Sequence, residues 1–128
     1  MTDLMVHVVE EGVLFTGDIV NNAHFSFMGH GNFKGAYEAT QQALAMKPNH
    51  VVVGHGRSGK TDLIKEFSYI YQTLRSLVAK YYEKGLMDYE MKPKIVAEFE
   101  KYQHWSGFEG QIGPYISQLL IEIESESF

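Results

Sequence analysis

The chain has 128 residues, 45% of them apolar and 21% charged, which is the composition of one folded domain and excludes a disordered chain. A net charge of −5 supplies no basic face for nucleic acid or anionic lipid, and no apolar run reaches the ~20 residues that span a bilayer. Zero cysteines exclude disulfides, thiolate zinc ligands and cysteine nucleophiles, so a transition-metal centre here has only histidines and carboxylates to draw on.

The start, Met1 to Val6, lacks the basic region and long apolar core of a secretory signal, so the cytoplasm is the expected compartment. Leu4 to Val9 reads as a strand, Glu10-Glu11-Gly12 as a tight turn, and Val13 to Thr16 as the second strand of a hairpin ending at Gly17-Asp18. Residues 19 to 33, rich in Asn and Gly, read as a loop. Lys34 to Met46 has a helical rhythm closed by Pro48, and His50 to Val53 is a Val-rich buried strand that runs into Gly54-His55-Gly56. Apolar residues at spacings of three and four then predict a long amphipathic helix from Thr61 to Lys84, stopped at Gly85. Pro93 is expected to open a helix running to Trp105, Gly107 to Gly113 to form a loop, and Pro114 to open a last helix carrying Ile116, Leu119, Leu120 and Ile123. There is no internal repeat. The chain divides into a main part, 1–84, strand-rich to about residue 60 and helical after it, and a helical extension, 85–128, expected to pack on it.

Two strand ends carry chemistry. Leu14-Phe15-Thr16-Gly17-Asp18 ends in a carboxylate, and Val51-Val52-Val53-Gly54-His55-Gly56 ends in an imidazole between glycines. The glycines let the backbone turn sharply beside a bulky side chain. Strand ends of one sheet can converge, and an Asp and a His together suit zinc, iron or manganese.

A Thr-Gly-Asp after a hairpin, a Gly-Asn loop, a helix and then Pro-x-x-Val-Val-Val-Gly-His-Gly resembles the C-terminal half of metallo-β-lactamase-fold hydrolases, over roughly residues 3 to 80. The resemblance implies an α/β fold: half of an αββα sandwich, a short mixed sheet plus helices, with a C-terminal helical extension. It implies that Asp18 bridges two metals and that His55 binds the second, zinc in the usual case or else iron or manganese. It implies hydrolysis of an ester, thioester, amide or phosphoester in a small-molecule substrate that the motifs do not name. The family's His-x-His-x-Asp-His motif occurs nowhere in the chain, and the metal-binding His that precedes the first strand would fall at or before Met1. Two ligands hold metal weakly, because a catalytic zinc takes three protein ligands and an open position. The expectation is therefore a truncated gene product, one subunit of a split protein or a fragment, inactive alone, with Asp18 and His55 as its metal ligands and no complete catalytic set.

Two other readings stand beside this one. The first is a non-catalytic, oligomerising α/β module with a vestigial metal site. The second comes from Gly54-His55-Gly56-Arg57-Ser58-Gly59-Lys60-Thr61, which matches the phosphate-loop pattern G-x-x-x-x-G-K-[ST] between a strand and a helix. Against it, no later strand ends in the Asp that would complete a Mg²⁺ site, and no further strand–helix units follow. Ser58 or Thr61 serves equally well as a helix N-cap, with Asp62 near the positive helix end.

His24 and His30 follow Asp18 in the loop and read as surface histidines that could line a cleft, while His7 lies on the first strand. The aromatic-rich helix, with Phe67, Tyr69, Tyr71, Tyr81 and Tyr82, reads as core and interface. Half of a sandwich leaves one sheet face and one edge uncovered, so the chain is expected to associate, as a homodimer or with a separate N-terminal half.

Overall fold

A computed structural model describes residues 5–26 and 32–126. Strands β1 (Val6–Val8) and β2 (Val13–Phe15) form an antiparallel hairpin. Gly12 makes its turn at φ +67°, and the Gly12 N–H closes on the Val9 carbonyl at 3.2 Å. Helix α1 (Phe33–Ala45) follows, its N-cap Asn32 accepting the Gly35 N–H at 2.5 Å. Strand β3 (His50–Val52) then returns parallel to β2, giving the order β1-β2-β3. Three helices complete the described chain: α2 (Thr61–Glu83), α3 (Asp88–Glu98) and α4 (Phe108–Glu126). The expected mixed α/β architecture is what forms. Leu4, Gly29, His30 and Gly31 lie outside the described residues.

The sheet has two unlike faces. Leu14 and Val51 are paired in register and fully buried beneath the helices. On the opposite face Val6 pairs with Phe15 and Val8 with Val13, and Val6, Phe15 and Val8 remain 55%, 43% and 38% exposed. Helices α1 and α2 pack on each other, and α4 packs on both α2 and α3. Ile64, Ile70, Leu74 and Val78 of α2 are fully buried between them, and one continuous core runs from Leu14 to Ile123. Among the described residues no helix is long and apolar enough to cross a membrane.

Two helix starts differ from expectation. Helix α3 begins at Asp88, not at Pro93, which sits inside it. Glu90 accepts the Met87 N–H at 2.9 Å and buried Met91 anchors the first turn, so the helix is nucleated five residues earlier. It also ends at Glu98, and a 3-10 turn, Glu100–Tyr102, occupies the expected continuation. Helix α4 likewise begins at Phe108 with Pro114 inside it, and Gly107, at φ +82°, is the residue that breaks the chain. Buried Phe108 and Ile112 hold its first turn, so packing overrides the weak helix preference of the Gly-rich stretch. The cap of α2 is Lys60, and neither Ser58 nor Thr61 caps it with a side-chain bond.

Candidate metal centre

The parallel register of β2 and β3 sets the geometry of the centre. Val13, Leu14 and Phe15 pair with His50, Val51 and Val52, and the same offset carried three residues past the strands sets Asp18 opposite His55. The ladder does continue there: the Thr16 N–H donates to Val52 O at 2.9 Å and the Gly54 N–H to Gly17 O at 2.9 Å. As a result His55 Nδ1 lies 2.9 Å from Asp18 Oδ1. A carboxylate only accepts, so in this contact the imidazole is the partner that can donate, through Nδ1, and Nε2 points away from Asp18 Oδ1 as the other ring nitrogen. The two side chains are 51% (His55) and 42% (Asp18) exposed, open to an ion or a small molecule.

Glycine is required on both turns. Gly17 takes φ +57°, and a Cβ on Gly54 would overlap Asp18 Oδ1 and stand 2.8 Å from the Gly17 carbonyl oxygen. Gly56 takes φ +91°, and a Cβ there would come within 2.5 Å of Asn22 O. Between the turns lies Asn21, 1% exposed. Its Oδ1 accepts the His55 N–H at 2.8 Å, and its Nδ2 donates to Asp18 O and to Ser26 Oγ, both at 3.2 Å. The Asn22 N–H donates to His55 O at 2.9 Å. Sequence reasoning left both asparagines as generic loop residues; their position three and four residues after the Gly-Asp turn was the only signal.

The structure brings His24 into the centre as well. Its ring stacks on His55 with centroids 4.2 Å apart and planes 23° apart. Burial and the adjacent His55 lower its pKa, and Asp18 pulls the other way. Its segment is held from the far end of the chain: the Phe25 N–H donates to Ser106 O at 2.7 Å and the Ser106 N–H to Ala23 O at 3.1 Å. Phe25, 1% exposed, is ringed by Phe67, Trp105, Phe108 and Tyr115. The Tyr115 hydroxyl donates to Ser26 O and the Tyr71 hydroxyl to Ile19 O, both buried. His7, by contrast, is a half-buried residue of β1 paired with Leu14.

A carboxylate and an imidazole in contact on accessible turns are a fitting donor pair for a borderline cation. Among the described residues no group of three or more His, Asp or Glu side chains is arranged to hold a metal ion. In the stretch Gly54–Thr61 several of the amides that a phosphate cradle would use are turned inward. The N–H groups of Gly54, His55 and Gly59 donate to Gly17 O, Asn21 Oδ1 and Val51 O, so these amides are spent inside the protein.

No protein-family model and no curated protein matches the sequence. Among solved structures the chain is similar to VMB-1 (24% identity, TM-score 0.49), to DIM-1, a metallo-β-lactamase exposed to ceftazidime (23%, 0.49), and to TMB-1 (16%, 0.48). Each comparison covers 54% of this chain and 34% of the other, so the chain spans about a third of the length of those proteins.

Proposed function

We infer that the chain is the C-terminal portion of a metal-dependent hydrolase of the metallo-β-lactamase superfamily, with Asp18 and His55 as metal ligands and the remaining ligands supplied by a segment that this sequence does not contain. The 2.9 Å contact between His55 Nδ1 and Asp18 Oδ1, on turns leaving neighbouring parallel strands, supports this most directly. Zinc, iron or manganese bound there would polarise the scissile group and lower the pKa of water. The chain's own residues have narrower tasks. Asp18 and His55 present oxygen and nitrogen donors on one rim, the glycine turns let them approach, and the stacked His24 shields one face of His55. With two ligands the chain alone is expected to bind metal weakly and to lack hydrolytic activity.

Calorimetric titration of metal-free protein with zinc tests the reading. Weak binding to about one site is expected, lost in both Asp18→Ala and His55→Gln. Binding that survives either substitution, or no binding at millimolar zinc, would overturn it.

One observation favours a second reading, an oligomerising module. Val6, Val8 and Phe15 form an apolar strip on the uncovered sheet face, beside the edge strand β1, whose described residues Val6-His7-Val8 include no Lys, Arg, carboxylate or proline. A homodimer, or a complex with a separate N-terminal half, would cover it. Light scattering of the wild type against Phe15→Lys decides: a concentration-dependent dimer that the substitution dissociates supports association, and a well-folded micromolar monomer refutes self-association.

A further inference from the structure

We propose that Asn21 is the positioning residue of the centre, the group that holds the Asp18 and His55 turns in the relation that brings their side chains together. This rests on reading Asp18 and His55 as the functional pair. One carboxamide, almost wholly buried, makes three hydrogen bonds, and two of them go to the backbones of those two residues. The link needs an acceptor aimed at the turn after β3 and donors aimed at the turn after β2. Only a carboxamide of this length supplies both: aspartate loses the donors and buries a charge, and alanine leaves the His55 N–H and an Asp18 carbonyl lone pair unpaired.

The neighbour completes the clamp. With Asn21 Oδ1 on the His55 N–H and the Asn22 N–H on His55 O, the peptide groups flanking His55 are held from both sides by consecutive residues. The imidazole then keeps only its side-chain torsions to find Asp18 Oδ1, and the stacked His24 ring restricts those. The frame is anchored in turn: Ser26 accepts from Asn21 through its hydroxyl and from Tyr115 through its carbonyl, which ties the carboxamide to α4. Asn21 touches no reacting group. It acts through the two residues that do, as an outer-shell partner does in a metal site.

The test uses the full chain, stripped of metal and labelled with ¹⁵N. In the wild type the His55 imidazole is expected as the Nδ1–H tautomer bonded to Asp18. Asn21→Ala should convert it to the tautomer mixture of a free histidine and weaken zinc binding about 10- to 100-fold. Ser26→Ala removes one bond of the same carboxamide and the long 3.4 Å bond from the Ser26 hydroxyl to Asp18 O, but neither Asn21 link to the pair, so it should move tautomer and zinc affinity far less than Asn21→Ala whatever it does to the melting temperature. If Asn21→Ala does not fold, Asn21→Asp, which has the same shape and retains the acceptor but neither donor, is expected to show both changes in weaker form. A folded Asn21 variant with the wild-type tautomer and affinity overturns the assignment, even if it melts lower. If the wild type binds no zinc, the metal reading fails and the tautomer alone decides the role of Asn21.

Discussion

Gly54→Ala is the sharpest probe of the two converging turns. The added methyl would stand 2.8 Å from the Gly17 carbonyl oxygen and 2.9 Å from its carbon, and would overlap Asp18 Oδ1. The side chain can rotate away, but the carbonyl cannot, because it accepts the Gly54 N–H at 2.9 Å. Relief therefore requires the turns to splay. Forcing a methyl into a closed contact costs about 1–3 kcal/mol. At roughly 4 °C per kcal/mol for a chain of this length, the melting temperature should fall by about 4–12 °C. Gly110→Ala is the control: that helical glycine faces open space, so alanine should be neutral or stabilise by up to about 1 kcal/mol. Thermal and urea unfolding of both variants give the stabilities, and the His55 imidazole N–H resonance reports the contact with Asp18. If Gly54→Ala matches the wild type within about 0.5 kcal/mol and keeps that resonance, the turns are not as close as described.

Leu14→Ala empties the buried face of the sheet against Val51 and should cost about 2–5 kcal/mol in urea unfolding, without changing the exposed strip. Tyr115→Phe leaves the Ser26 carbonyl without its buried donor and should cost about 1–3 kcal/mol. Burial, and secondarily the Asp18 charge, push the Tyr115 pKa up, so its stabilisation is present below the ordinary tyrosine pKa of 10.0 and lost as pH rises beyond it. The wild type should accordingly lose more stability than Tyr115→Phe in alkaline unfolding. In metal-free protein His24 should titrate below its ordinary 6.5, since burial and His55 both disfavour its charge. Its contribution to stability is therefore present above that pH and lost as pH falls below it. In His55→Gln the midpoint should rise only part of the way, because burial is the larger cause; full return to 6.5 in an NMR titration would refute that ordering.

The three strands, α1 and α2 were legible because their signals are local: valine runs, glycine turns and a sustained helical period. The approach of Asp18 to His55 was legible because each ends an apolar run beside glycine, and parallel strands do the rest. The starts of α3 and α4 were not, because Pro93 and Pro114 look like first-turn residues until Met91, Phe108 and Ile112 are seen buried. Asn21 and Ser106 escaped notice, and His24 read as a surface histidine that could line a cleft, for a related reason. What makes them part of the centre is a set of contacts spanning more than thirty residues for Asn21 and His24 and about eighty for Ser106, and no local pattern encodes those.

The alignment of Asp18 with His55 is written into a hydrogen-bonded ladder and not into the length of chain that joins them. Residues added to or removed from the connection around α1 would leave the pair matched, provided the helix still docks. A slip of β3 by a single step would turn Val51 outward and carry His55 past its mate at the same stroke. Core and chemistry thus share one failure mode, and sequence drift that preserves the packed interior, the turn glycines and Asn21 preserves the spacing of the two groups.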